Sequence, residues 1–230
     1  MKTLSTTISD AWFLLKLSLR QQFGHFYYLI PLTVLVWPVY KFVTLLESSQ
    51  LTFSIRDVQN ELIGLPLYLL AIGLGVGIIA KEVEQDTLEV VYTIPGSIKN
   101  FWLIKLVSTV IILLITEVIL AVICSAIFTS FPLPLLYSVF QGAVFFLVLA
   151  MFFGVLMKNQ LAAAVFTSFI FFILYTKFDG WKWSPVFNPL LDHNTSYAEI
   201  TQNHIANLLM IIILSHLAFF KSQNRENFLG

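Results

Sequence analysis

Leu135-Leu136-Tyr137-Ser138-Val139-Phe140-Gln141-Gly142-Ala143-Val144-Phe145-Phe146-Leu147-Val148-Leu149-Ala150-Met151-Phe152-Phe153-Gly154-Val155-Leu156-Met157 contains no charged side chain. Crossing the hydrocarbon core of a bilayer takes roughly 20 apolar residues, and a helix satisfies its own backbone polar groups there. The stretch therefore reads as a membrane span. The whole chain agrees with it. Of 230 residues 58% are hydrophobic, 15% aromatic and 11% charged, against about 25% charged in a soluble domain. Mean hydropathy is +0.84. Lys and Arg total 13 and so do Asp and Glu, so no net charge draws the chain to polyanions. An ordinary soluble domain, a disordered chain and a nucleic-acid reader are excluded, and the sequence reads as a polytopic membrane protein.

Working outward, five further apolar runs qualify. The first, from about Phe26 to Leu46, holds Pro31, Pro38 and Lys41, and its prolines predict kinks rather than a break. The second is Leu62 to Ala80, without a charge. The third, Phe101 to about Ser130, contains Lys105 and Glu117. Leu135 to Met157 is the fourth. Leu161 to Thr176 and Ile205 to Phe220 are short, and are expected to extend by a few residues. With a cytoplasmic N-terminus, nine basic residues (Lys2, Lys16, Arg20, Lys81, Lys99, Lys105, Lys158, Lys221, Arg225) lie inside and four (Lys41, Arg56, Lys177, Lys182) outside. That asymmetry places both termini in the cytoplasm. The N-terminus lacks the form of a signal peptide, because Lys16 and Arg20 interrupt its only apolar stretch.

The expected fold is thus all-α and integral to the membrane, a single transmembrane domain over residues 1–230. Residues 1–25 are an N-terminal amphipathic interfacial helix, with Ile8, Trp12, Leu15 and Leu19 on one face and Lys16 and Arg20 off it. Residues 81–100 form an acidic cytoplasmic segment. Residues 178–203, with Trp181, Trp183, Pro185 and Pro189, read as short, partly re-entrant extracytoplasmic helices before the last span.

Several chemistries have no signature here. No G-x-x-x-x-G-K-[ST] is present to cradle nucleotide phosphates, and no H-E-x-x-H or G-x-S-x-G. Gly73 and Gly77 form a G-x-x-x-G pair inside the second span, which predicts close helix packing rather than a phosphate loop. His25, His193, His204 and His216 are scattered; His193 and His204 share one outer segment and read as solvated. Cys124 is the only cysteine, so no intrachain disulfide can form. Asn194-Thr195-Ser196 fits a glycosylation acceptor, a pattern that also arises by chance. No catalytic residue and no metal site is expected.

One segment is more specific. Lys81-Glu82-Val83-Glu84-Gln85-Asp86-Thr87-Leu88-Glu89 is followed by Val90-Val91-Tyr92-Thr93-Ile94-Pro95. It resembles the cytoplasmic loop between the second and third spans of type-2 ABC exporter permeases, the membrane subunits of ATP-binding-cassette exporters. Their pattern opens with a basic residue and Glu, centres on Gly-Thr-Leu-Glu, and leaves through Thr/Ser-x-Pro towards a lysine in the next span. Lys81-Glu82, Thr87-Leu88-Glu89, Thr93-x-Pro95 and Lys105 match in turn, with Asp86 in place of the glycine. The six-span topology, the minimal second cytoplasmic loop and Asn188-Pro189 also fit.

The resemblance implies an exporter permease of the bacterial plasma membrane, forming a substrate pathway as a homodimer or with a similar chain. A separate ABC ATPase chain binds ATP and Mg, this chain needs no cofactor of its own, and the assembly works by alternating access. Independently of the family, Glu82, Asp86 and Glu89 at i, i+4, i+7 share a helix face, and Leu88, Val91 and Ile94 form an apolar row. A row of like charges does not stabilise its own helix, and a basic partner surface would neutralise it. The expected ATPase-docking residues are Glu82, Glu84, Thr87, Leu88, Glu89 and Val91, with Glu82 and Glu89 desolvated at the contact and Glu84 at its rim. Glu117, the acidic residue deep in a span, must face protein or water, either along the pathway or in helix packing. Other classes weighed are an intramembrane enzyme, which needs paired ionisable groups at one depth, and a non-transporting scaffold subunit.

Overall fold

The computed structural model describes residues 16–20, 23–25, 27–47, 54, 57–85, 87, 98–128, 131–178, 181–187 and 197–223. Among these, six helical stretches are long and apolar enough to cross a membrane. The first joins a 3-10 turn, Tyr27–Leu29, to α1 (Ile30–Val34) and α2 (Val36–Glu47). Pro31 sits in the first turn of α1, where its missing N–H costs nothing. The second opens with a π-helical turn, Val58–Gly64, and continues as α3 (Leu65–Val76). The expected start at Leu62 falls inside that wide turn. Pro66 cannot donate in the next turn, and the Leu65 N–H bonds five residues back to the Asn60 carbonyl.

A short helix, α4 (Ala80–Glu84), follows α3. Then come α5 (Ile98–Ile127), α6 (Leu133–Met157), α7 (Gln160–Lys177) and α8 (Tyr197–Gln223). The turn between α6 and α7 is two residues long. Lys158 takes a left-handed backbone (φ 54°) and returns its N–H to the Gly154 carbonyl at 3.0 Å. Asn159 then caps α7, its Oδ1 accepting from the Ala162 N–H at 2.8 Å.

The core lies around α6, which packs most extensively against α3, then α8, then α7. In its most apolar stretch 72% of α6 is buried, against 17% for the first span, α7 and α8. Small residues set these approaches. A Cβ on Gly75 would lie 2.9 Å from Ala150 Cβ and closer still to the Leu147 carbonyl oxygen. Gly73, by contrast, has nothing within 4 Å, and Gly77 meets only Leu74 and Gln160 at 3.6 Å or beyond. The close approach therefore belongs to Gly75, not to the G-x-x-x-G pair read from the sequence. Gly75 alone of the three points at α6.

Residues 181–187 form successive turns rather than a helix: Ser184 N donates to Trp181 O at 2.9 Å and Phe187 N to Ser184 O at 3.1 Å. Ser184, Pro185 and Val186 are buried. The Pro185 carbonyl lies against Gly142, where a Cβ would sit 2.6 Å from its oxygen. Gly142 is nine residues past Leu133, about 14 Å along α6. Irregular backbone at such depth survives only when protein encloses it, and here α6 and α8 do. Asn203 Nδ2 donates to the carbonyls of Lys182 (2.5 Å) and Ser184 (3.2 Å), and Lys182 pairs with Glu199 at 2.5 Å. These polar contacts explain why α8 starts at Tyr197, eight residues before its apolar run at Ile205. Residues 188–196 lie outside the described part.

Candidate functional site

The segment singled out in the sequence begins at the end of α3. Gly77 closes that helix, and Ile78, Ile79 and Ala80 turn fully buried into α4. The turn rotates α4 so that Glu82 faces inward, at 5% exposure, while Glu84 and Gln85 face out. Beneath Glu82 stands Lys105 of α5, 1% exposed. The two form a buried ion pair, Lys105 Nζ to Glu82 Oε1. Lys105 Nζ also donates to the Ile78 carbonyl at 3.3 Å, and lies 5.2 Å and 5.4 Å from the ring centroids of Phe101 and Trp102. Removing two charges from water costs several kcal/mol per ion, offset only where geometry and further hydrogen bonds are good. This lysine has a carboxylate, a carbonyl and two aromatic faces. The other oxygen of Glu82 and the Trp102 indole N–H are buried with no hydrogen-bond partner among the described residues.

Thr87 folds back on the same helix. Its N–H and hydroxyl both donate to the Glu82 carbonyl, at 3.1 Å and 3.4 Å. Glu84 reaches the other way. Its Oε1 accepts from the backbone N–H of Gln160 at 2.6 Å and its Oε2 from Gln160 Nε2 at 2.5 Å. A carboxylate on the first N–H groups of α7 interacts favourably with the dipole of that helix. Five-residue α4 is thus held to α5 through Glu82 and to α7 through Glu84. Glu82 and Glu84, two of the three expected docking carboxylates, have partners inside the chain. Of the other expected contacts, Leu88, Glu89 and Val91 lie outside the described residues, as does Asp86.

Glu117 is 3% exposed on α5, and its Oε1 has no hydrogen-bond partner among the described residues. Thr116 is occupied with the Ile112 carbonyl at 2.7 Å. The Tyr68 ring of α3 packs on Phe146 and Phe171 at 5.5 Å and 5.9 Å. His204 differs from its expected place in a solvated segment. It sits within α8, where Nδ1 meets Gln141 Oε1 at 2.6 Å and its carbonyl accepts from Gln141 Nε2 at 2.7 Å. His193 lies outside the described residues. No group of three His, Cys, Asp or Glu side chains that could hold a metal occurs among the described residues.

Sequence reasoning missed three partners: Lys105 for Glu82, Gln160 for Glu84 and Gln141 for His204. The one available signal was chemical. A lysine inside an apolar span needs an acidic or carbonyl partner, and Glu82 opens the nearest acidic segment.

Fold and site together define a polytopic α-helical membrane protein in which a short acidic helix is tied to two neighbouring spans. Comparison of the chain with protein-family models, with curated proteins and with solved structures finds no match.

Proposed function

We propose that the chain is the permease subunit of an ABC exporter, paired with a second permease chain and driven by a separate ATPase that binds ATP and Mg. The observation that carries the proposal is the anchorage of the segment resembling the exporter loop. It leaves α3 through α4, whose two carboxylates hold α5 and α7. Closure of the ATPase pair would press on residues 81–100, taken as cytoplasmic. The buried Glu82–Lys105 pair passes the displacement to α5, and the Glu84–Gln160 contact passes it to α7. In this reading Glu82 and Glu84 transmit motion, while Leu88, Glu89 and Val91 remain the docking contacts. Glu117, buried on the α5 so driven, is the candidate polar group of the pathway.

Native-membrane purification of the tagged chain tests the proposal. An ABC ATPase should co-purify stoichiometrically, Glu89→Lys should lose it, and Glu82→Gln should retain it with ATP hydrolysis altered. A chain recovered without any such ATPase sinks the reading. In the same complex, Glu117→Cys should react with a small water-soluble thiol reagent in one nucleotide state and not the other. Equal silence in both states removes Glu117 from the pathway and leaves it in helix packing.

A further inference from the structure

The first helical stretch does not close tightly on α5. Between them runs a groove of about 290 Å³, near the lower end of the usual range for ligand clefts. One wall is the row Ile111, Ile115, Ile119, three residues at i, i+4, i+8 that cover about 12 Å of α5. The facing wall is Leu32 with Tyr27 and Tyr28 below it. Phe42 meets Phe128 at the far ends of the same two spans, so the tyrosines lie towards the α4 side of the bundle. Lys16 also lines this groove. It belongs to a helical segment, residues 16–20, that buries Ser18 and Leu19 and exposes Lys16 and Arg20. Arg20, one turn on from Lys16, meets His25 Nδ1 at 2.9 Å. The groove is therefore lined by apolar side chains, by Lys16 as its basic residue and by two tyrosines of the kind found at membrane interfaces.

We infer that this groove is a binding site for one anionic glycerophospholipid of the leaflet on the α4 side. One acyl chain lies along Ile111, Ile115 and Ile119, and the headgroup phosphate sits at Lys16. The charge pattern selects this occupant. Lys16 beside apolar walls calls for an anion attached to an apolar tail. Each basic residue near an anionic surface adds about 1 kcal/mol, which is about fivefold in affinity. The site is independent of the transport proposal and would exist in any membrane protein with this geometry.

Native mass spectrometry of the full 230-residue chain in detergent, titrated with phosphatidylglycerol or phosphatidylcholine of the same acyl chains, tests it. The unaltered protein should retain one phosphatidylglycerol under activation that strips phosphatidylcholine. Lys16→Gln should lower that preference about fivefold. Ile115→Trp, which fills the groove, should lower retention of phosphatidylglycerol, with Leu32→Trp on the facing wall as the second variant should the first fail to fold by circular dichroism. Equal retention of the two lipids by the unaltered protein overturns the phosphate contact. Unchanged retention in both tryptophan variants overturns the groove and leaves a surface attraction. A dimer without lipid assigns the groove to a second copy, and a monomer without lipid assigns it to the chain's own residues 1–15; either result overturns the inference.

Discussion

Lys105 is the residue on which the α4 end of the bundle depends. Its ammonium is enclosed by Glu82, the Ile78 carbonyl and two aromatic rings. Removing one member of such a pair leaves an uncompensated buried charge, and the usual cost is about 3–5 kcal/mol. Lys105→Met should therefore destabilise the protein by about that amount. Adding Glu82→Gln should recover part of the loss, because the stranded carboxylate is gone. A double-mutant cycle on unfolding in mixed micelles measures the coupling, and strict additivity of the two changes would mean the pair is not formed. Glu84 is a different case. It is exposed, and its contact with the start of α7 belongs to the range of about 0.3–1 kcal/mol for charges at helix ends. Helical spacing alone already set Glu82 on a face of its own and Glu84 off it, but gave Glu82 a partner outside the chain rather than Lys105. Burial separates Glu82 from Glu84.

Helix packing turns on which small residue faces which neighbour. Gly75 of α3 and Gly142 of α6 both meet backbone carbonyls, those of Leu147 and Pro185, and a carbonyl cannot swing aside as a side chain can. Gly75→Ala and Gly142→Ala should each cost about 1–3 kcal/mol, the usual range for overpacking. Gly73→Ala, pointing into open space, should be neutral or stabilising by up to about 1 kcal/mol, since alanine is the better helix former. Thermal midpoints of the three variants in one detergent check this. A destabilised Gly73→Ala with a tolerated Gly75→Ala would restore the G-x-x-x-G reading. Spacing marked this helix as a packing helix, but three glycines within five residues of α3 left the contact face open. The elements themselves were more legible than their edges. The polar first turns of α8 lower its local hydropathy, so its start is hidden until Glu199 and Asn203 are seen bonded to residues 182–184.

For the whole molecule, the testable quantity is orientation. The asymmetry of nine basic residues against four predicts the α4 end in the cytoplasm. With Cys124 replaced by Ser, Trp181→Cys, half exposed at 51%, should react with an impermeant thiol reagent in intact cells. Gln85→Cys should react only after lysis. The opposite pattern would invert the orientation. Ser184, in the same segment as Trp181, would be a poor probe because it is fully buried. The class of fold was legible in hydropathy alone. A run of about twenty mostly apolar residues has one environment in which its backbone and side chains are both satisfied, and six such runs make a bundle of spans. What the polar groups do inside that bundle follows from how the helices pack. Glu82 and Lys105 are 23 residues apart, Gln141 and His204 63 apart, Glu84 and Gln160 76 apart. Hydropathy records how far each residue prefers to leave water, and it carries no record of which distant partner waits for it once the helices have packed.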